Sequence, residues 1–366
     1  MNDADYMSLA INLARATTGQ TSPNPVVGAV VVKNHQIVGM GAHLKAGEPH
    51  AEVHAIQMAG EKANGATLYV TLEPCSHFGK TPPCSNLVIS AGIKKVFVAT
   101  TDPNPQVAGT GIKRMRHAGI EVEIGLLEKE ARELNKVFFY HIQTGLPYVT
   151  LKSAASLDGK TATVTGESKW ITGEAARADV HQLRHEHDAI LVGVNTVLKD
   201  DPSLTTRLAD GGKNPIRVVL DTNLRMPLNA KVIQDRQAPT WIVTGTDVSK
   251  ERQQLFEHAG IKLIKMPQQQ ILVKELLPVL GELGITSLFV EGGAEVNGSF
   301  LQDGAFQQLI VYIGAKLIGG RNAPTSFAGE GIATIADAIP LKIKSVQMIG
   351  GDIKVVAERN DEKEGE

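Results

Sequence analysis

The chain has two cysteines in 366 residues, and both lie in one short loop, Pro74-Cys75-Ser76-His77-Phe78-Gly79-Lys80-Thr81-Pro82-Pro83-Cys84. Upstream stands His50-Ala51-Glu52. Two thiolates and one imidazole that meet on a single ion pin three distant points of the backbone together, which constrains the fold more than any apolar pattern does. Residues 66–71 read as a strand, the cysteine loop follows its C-terminal end, and a helix begins near Cys84. Another helix opens near Pro49 and His50, proline being favoured in a first helical turn. Histidine and glutamate thus open one helix, and the cysteines bracket a strand-to-helix loop, where a helix N-terminus favours thiolate.

One His and two Cys leave the fourth tetrahedral position of zinc open for water, the mark of a catalytic rather than a structural site. His50, Cys75 and Cys84 are therefore the candidate ligands of one Zn2+, and Glu52 is the candidate proton shuttle of a hydrolytic deaminase. The bland alternative is structural zinc, closed by a fourth ligand from His77 or His43. Deaminases usually space their cysteines two apart, whereas here eight residues intervene. The inserted segment carries His77 and Lys80, a donor and a cation that would recognise substrate, including a phosphate. Asn24, between two prolines, and His43 would line the same pocket.

A length of 366 exceeds the usual ceiling for one hydrophobic core and predicts two domains. Net charge of −2 and 4% aromatics argue against a nucleic-acid groove, which needs a basic stripe and stacking platforms. Local Arg or Lys clusters still leave room for a small phosphorylated substrate. Apolar runs are too short for a membrane span, the first ten residues lack a signal-peptide pattern, and cysteines committed to metal suit a reducing cytosol. A cytoplasmic location is expected, and a homo-oligomer stays open.

Along the chain, positions 6, 9, 10, 13 and 14 follow a helical repeat that Pro23 and Pro25 stop. A hairpin (26–32 and 37–41), a strand at 96–100, a helix at 112–117, a strand at 121–124 and a charged helix at 128–135 complete an α/β layered domain. The boundary falls at Gly145-Leu146-Pro147, giving domains 1–145 and 146–366. Beyond it, strands are expected at 148–154, 189–194, 216–220, 240–244, 287–291 and 309–317. Helices are expected at 173–186, 248–258, 271–283 and 294–302, and the acidic tail 358–366 is expected to be frayed.

The stretches Ser22-Pro23-Asn24-Pro25-Val26-Val27-Gly28, Gly47-Glu48-Pro49-His50-Ala51-Glu52-Val53-His54-Ala55 and Thr71-Leu72-Glu73-Pro74-Cys75 through Cys84 resemble the bifunctional deaminase/reductase family of bacterial riboflavin biosynthesis. Asp102-Pro103-Asn104-Pro105, Val107-Ala108-Gly109 and Leu151-Lys152-Ser153-Ala154-Ala155-Ser156-Leu157-Asp158-Gly159 fit it too, so the resemblance covers nearly the whole chain. It implies a cytidine-deaminase-like domain followed by a dihydrofolate-reductase-like domain. It further implies deamination of 2,5-diamino-6-ribosylamino-4(3H)-pyrimidinone 5′-phosphate, then NADPH-dependent reduction to 5-amino-6-ribitylamino-uracil 5′-phosphate.

The second half lacks Gly-x-Gly-x-x-Gly but has Phe289-Val290-Glu291-Gly292-Gly293, a strand entering a helix through two glycines, where backbone N–H groups can approach a phosphate. By resemblance, Gly293, Ala294, Glu295, Val296, Asn297, Gly298 and Ser299 contact NADPH, with Ala154, Trp170, Thr196, Asp200 and Thr222. Substrate contacts implied the same way are Ser168, Arg184, Leu204, Arg207 and Glu291. Arg184 and Arg207 supply the planar fork that suits a ribose phosphate, and Lys152 is a candidate proton donor. His181, His185 and His187 read as a solvated helix face rather than a second metal site. Asn195-Thr196 followed by Asp200-Asp201-Pro202 reads as a loop at a strand end, where a cofactor site is expected. Trp241 reads as core and Trp170 as a ligand cover. A nucleic-acid deaminase and a non-catalytic nucleotide sensor with structural zinc are the rival readings.

Overall fold

The computed structural model describes residues 1–76, 82–104, 108–209 and 211–360, which form two compact units, Met1–Gly145 and Leu146–Glu366. In the first, α1 (Asp3–Arg15) precedes the hairpin β1 (Gly28–Lys33) and β2 (Gln36–Ala42), then α2 (Ala51–Ala59), β3 (Thr67–Val70), α3 (Cys84–Ser90), β4 (Lys95–Val98), α4 (Thr110–His117), β5 (Glu121–Ile124), α5 (Glu128–Leu134) and α6 (Lys136–Thr144). The hairpin turns through Asn34 and His35, both with positive φ, the twist that two-residue hairpins require. The sheet order is β2-β1-β3-β4-β5; β1 runs antiparallel to both neighbours, and β3, β4 and β5 are parallel.

Period-two alternation feeds two cores. Ala29 and Val31 of β1, with Leu68 and Val70 of β3, pack with Ala51 and Ala55 of α2 and Met115 of α4. Val30, Val32 and Tyr69 face the other way onto Tyr6, Met7 and Ala10 of α1 and Ala131 of α5. The first helix ends at Arg15, well before the prolines expected to stop it, and α6 adds a helix beyond those expected. Asn135 locks the start of α6 to the edge of β1: its side chain accepts from Val26 N and donates to Val26 O, both at 2.9 Å.

The second unit runs β6 (Tyr148–Ser156), α7 (Glu174–Glu186), β7 (Ala189–Gly193), α8 (Val194–Asp200), β8 (Ile216–Leu220), α9 (Lys231–Gln234), β9 (Thr240–Thr244), α10 (Lys250–His258), β10 (Lys262–Lys265), α11 (Val273–Glu282), β11 (Ser287–Val290), α12 (Ala294–Gln302), β12 (Gln308–Gly314), β13 (Leu341–Ile349) and β14 (Asp352–Arg359). The strand order is β10-β9-β8-β7-β11-β6-β12-β14-β13, parallel except for the β12–β14 and β14–β13 pairings. Ile190, Val192, Phe289 and Tyr312 face α7, while Leu191, Val218, Leu288 and Val290 face α11.

Three expectations fail here. Residues 195–200 are the helix α8 rather than a loop. Glu358 and Arg359, expected in a frayed tail, are paired in β14 with β12 and β13, while residues 361–366 lie outside the described residues. Trp241 is only half-buried, with the Lys262 ammonium 4.3 Å from its ring centroid, because β9 lies one strand from the sheet edge.

At Gly28 a Cβ would lie 1.9 Å from the Ala10 carbonyl oxygen, so α1 seats on β1 only over a bare Cα. Gly28→Ala is expected to cost about 1–3 kcal/mol of stability by overpacking. A fall in the urea midpoint at unchanged m-value is the result to look for.

Candidate active sites

His50 is the N-cap of α2, Cys84 the first residue of α3, and Cys75 sits in the loop leaving β3. His50 Nδ1 lies 3.3 Å from Cys84 Sγ and 3.7 Å from Cys75 Sγ, and Cys84 N donates to Cys75 Sγ at 3.3 Å. All three ligand atoms fall within 4.8 Å of one another, the one such group among the described residues. One nitrogen and two sulfurs are a zinc donor set, and they leave a coordination position open. Beside them Glu52 is buried, with Oε2 lacking a hydrogen-bond partner, an orphan atom that fits a role toward a metal-bound ligand. The residues therefore fit zinc.

Electrostatics divide the sulfurs. Hydrogen bonds from the Cys84 thiol and from His50 hold Cys75 well below the ordinary thiol range, making it the thiolate of the pair. The hydrogen bond to Cys75 and burial push Cys84 up. The hydrogen bond to Cys75 raises His50 against the opposing effect of burial. Burial pushes Glu52 up to about 7, where a carboxyl can both take and give a proton.

A cavity of about 520 Å3 opens on this cluster and is lined by Asn24 and His43 together with His50, Glu52 and Cys75. His43 Nδ1 donates to Pro49 O at 3.2 Å, so Nε2 accepts from Asn24 Nδ2 at 3.1 Å. Burial lowers the His43 pKa and favours this neutral form. The Asn24 carbonyl oxygen is thereby left as an acceptor for a ring or exocyclic N–H. His77 and Lys80, along with Pro105 and Val107, lie outside the described residues.

Sequence reasoning passed over four contributors. Phe138 and Ile142 of α6 give the cavity an apolar wall, and Asp102 and Asn104, beyond the end of β4, give it a polar one. Glu73 organises the latter: its carboxylate accepts from Gly109 N (2.9 Å), Gly111 N (3.0 Å), Ile112 N (3.2 Å) and, more weakly, Asp102 N (3.4 Å). A buried acid placed just before the cysteine loop was the available signal.

In the second unit a cavity of about 400 Å3 lies at the C-terminal ends of β8, β7 and β11. It gathers Thr196, Thr222, Gly293, Ala294, Glu295 and Val296 with Asn195 of the expected strand-end segment, and adds the unforeseen Asn223 and Arg225. Ligands bind beyond the carboxyl ends of parallel strands in such sheets. The rest of the expected cofactor set is elsewhere. Asn297 is buried and donates to Ser326 O at 3.1 Å, Gly298 packs under the Ala328 carbonyl, and Ser299 bonds back to Glu295 O, because the turn of α12 carries them away from the cavity. Ala154 packs on the core, Asp200 pairs with Lys169 at 3.8 Å, and the exposed Trp170 has the Arg177 guanidinium 4.5 Å from its ring centroid.

Among the expected substrate residues, Lys152, Arg184 and Glu291 converge. Arg184 Nε and Nη2 grip the two Glu291 oxygens at 2.6 and 3.1 Å, Nη1 donates to Thr205 O, and Lys152 Nζ lies 3.7 Å from Glu291 Oε2. The Arg184 fork is thus committed to Glu291 and is not free for a phosphate. Burial would raise the Glu291 pKa, but Arg184 and Lys152 outweigh it and hold the carboxyl at about 2. Burial lowers Lys152. Arg207 is exposed, Ser168 half-buried, and Leu204 part of the core. The histidines of α7 are not a solvated face. His187 is buried against Leu183 O and Thr150, His185 accepts from Lys213 N, and His181 Nδ1 is buried beside Arg184 without a partner.

Residues 1–100 match the model of the cytidine and deoxycytidylate deaminase zinc-binding region, and residues 147–355 match the RibD C-terminal domain. The chain is 56% identical to the riboflavin biosynthesis protein RibD of Bacillus amyloliquefaciens, covering 99% of this chain and 97% of that protein. Identity to the Escherichia coli K12 RibD is 44%, over 96% and 98% of the two chains. An Acinetobacter baumannii RibD structure superposes with a TM-score of 0.90 at 40% identity, covering 98% and 99%. A Thermotoga maritima deaminase/reductase gives 0.87 at 37%, covering 98% of each. Fold and sites together define a zinc-dependent deaminase joined in one chain to an NADPH-dependent reductase, the expected pairing of a cytidine-deaminase-like with a dihydrofolate-reductase-like domain. The chain belongs to the RibD family of riboflavin biosynthesis proteins.

Replacing Glu52 with Gln is expected to cut deamination by about 10²–10⁴-fold with zinc content unchanged, read by ammonia release and metal analysis. In the second unit, Glu291→Gln strands the Arg184 charge and should cost about 3–5 kcal/mol in denaturant unfolding. Because the Glu291 pKa is depressed, its contribution is complete above about 4.5 and is lost as pH falls towards 2. The stability of the variant should therefore change less with pH across that window than that of the parent.

Proposed function

We propose that residues 1–145 deaminate 2,5-diamino-6-ribosylamino-4(3H)-pyrimidinone 5′-phosphate and that residues 146–366 reduce the ribosyl side chain of the product. The result is 5-amino-6-ribitylamino-uracil 5′-phosphate. The observation that carries this reading is the meeting of His50, Cys75 and Cys84 at a cavity that His50, Cys75 and the buried Glu52 line. The substrate class is supported by the activity for which the Thermotoga maritima relative is named, a diaminohydroxyphosphoribosylaminopyrimidine deaminase and 5-amino-6-(5-phosphoribosylamino)uracil reductase.

His50, Cys75 and Cys84 would hold zinc, which supplies the Lewis acid that makes water nucleophilic near neutral pH. Glu52 carries both protons of the attacking water, the first to the ring nitrogen and the second to the amine as it leaves as ammonia. Asn24 accepts from the pyrimidine edge, neutral His43 fixes the Asn24 amide, and Phe138 covers the ring. His77 and Lys80 are proposed phosphate contacts.

In the reductase, the cavity at the ends of β7, β8 and β11 would hold NADPH, which supplies the hydride. Of the wider cofactor set, Ala154, Trp170, Asp200, Asn297, Gly298 and Ser299 can act there only through the residues that line the cavity. Arg207, whose guanidinium is exposed and has no acidic partner among the described residues, is the proposed phosphate anchor, and Ser168 is a further proposed substrate contact. Lys152, its pKa lowered by burial, is the proposed proton donor as hydride reaches the sugar C1′. Leu204, buried in the core, is the remaining proposed substrate contact. A formal charge of −2 supports a small-molecule partner over nucleic acid. No helix among the described residues is long and apolar enough to cross a membrane, and a cytoplasmic enzyme is the reading we adopt.

Mass spectrometry of the diaminopyrimidine phosphate incubated with the protein tests the sequence of steps. Deaminated product alone is expected without NADPH, and its dihydro form with NADPH; unchanged substrate in both would refute the reading. Arg207→Ala should raise the substrate KM of the reduction about tenfold or more while sparing deamination. Equal loss of both activities would remove Arg207 from the phosphate site.

A further inference from the structure

The NADPH cavity has one wall on which every strong acceptor is already engaged. Asp221, at the end of β8, is fully buried, and its two oxygens accept from Arg225 N (2.8 Å) and Met226 N (2.7 Å). Asn223 Oδ1 accepts from Gln269 Nε2 at 2.7 Å. The amide orientation is set by the network, because Gln269 Oε1 accepts from Asp247 N at 2.8 Å. Asn195 Oδ1 accepts from Arg225 Nη2 at 2.9 Å. What remains toward the cavity is a set of donors: the Asn195 and Asn223 amide NH2 groups, the Thr222 hydroxyl and the Arg225 guanidinium. Arg225 is the one cationic side chain lining this cavity, and it has no carboxylate partner among the described residues. The acid of the cavity, Glu295, is exposed in the first turn of α12, where the helix dipole favours it, and makes no ion pair with Arg225 among the described residues.

A carboxylate free to accept from a ribose 2′-hydroxyl favours NAD, whereas an arginine in that neighbourhood accommodates a 2′-phosphate. Here the acid at the strand end is consumed in building the turn, and the arginine that the turn carries is held in place by Asn195. Resting on the proposed NADPH site, we infer that the turn at 222–225 reads the 2′-phosphate of the dinucleotide and that Arg225 sets the preference for NADPH over NADH. Thr222 and Asn223 complete the phosphate cradle, and Asn195 is a positioning residue that aims the guanidinium.

Calorimetric binding of NADPH, NADH, adenosine 2′,5′-bisphosphate and adenosine 5′-phosphate to the full chain tests this without reference to turnover. The parent protein should prefer NADPH over NADH, and the bisphosphate over the monophosphate, by about 10- to 100-fold, the range of a charge-assisted phosphate contact. Arg225→Gln should abolish both preferences with NADH affinity unchanged, and Arg225→Lys should keep part of them. Both variants alter an exposed side chain, so unfolding midpoints should match the parent. Full preference for the 2′-phosphate in both variants would overturn the assignment of Arg225 while leaving the cofactor site standing. A parent protein that binds neither dinucleotide would instead overturn the cofactor site itself, and this inference with it.

Discussion

Packing two sulfurs, an imidazole and a carboxyl together inside a protein is unfavourable unless something else repays the lost solvation. In this chain that requirement organises the whole first unit. The α2 and α3 N-termini must approach each other, which they do by lying on the same face of the five-stranded sheet over Leu68 and Val70. The cysteine loop must leave β3 on the side where β4 also ends, and the parallel β3–β4–β5 order provides that. Glu73 then ties the returning chain to the metal loop through three main-chain donors at the start of α4 and, more weakly, through Asp102 N. Substituting Gly111 would undo this, since a Cβ there would meet the Pro74 carbonyl oxygen at 2.1 Å.

The second unit meets a similar demand with different chemistry. Its proposed reactive centre is an ion-paired cluster in which Glu291 satisfies both Arg184 and Lys152, and its proposed cofactor cavity is lined by small polar groups with Arg225 and Glu295. On the proposed reading, charged groups are buried where the sugar is reduced, while donors are left exposed where phosphate is held. The cavity lies where parallel strands end, whereas the cluster draws Lys152 from within β6, Arg184 from α7 and Glu291 from the end of β11.

Much of this was legible in the residues. The convergence of His50, Cys75 and Cys84 near Glu52 could be read because their chemistry is rare: two cysteines have few other uses in this chain. Strands 216–220, 240–244 and 121–124 were placed without error because β-branched runs bounded by turn residues leave little ambiguity. The reading failed where neighbours decide. Residues 195–200 look like a loop, yet they form a helix that buries Val194 and Val197 beside β7. Residues 341–359 mix lysine with apolar side chains, and the short alternation Leu341-Lys342-Ile343-Lys344 was passed over; β13 exposes Ile343, Val346 and Met348, and β14 buries only Asp352 and Ala357. The fork of Arg184 reads as a phosphate ligand because nothing in one dimension reveals that Glu291, more than a hundred residues away, already holds it. The acceptor-free wall around Arg225 was likewise invisible, since it depends on which amide oxygens are spoken for.

The strand order of the second sheet carries a consequence for biosynthesis. Every strand of the first sheet lies within residues 1–145, so that unit can close while the ribosome is still making the second. The nine-stranded sheet cannot. Its β14 is inserted between β12 and β13, and Asp352 at its start accepts from Gly173 N to cap α7. Until residue 359 emerges, β12 has an open hydrogen-bonding edge and the helix that carries Arg184 lacks its cap. The nascent reductase is therefore exposed to strand-mediated association for its whole period of synthesis, with the finished deaminase already tethered to it.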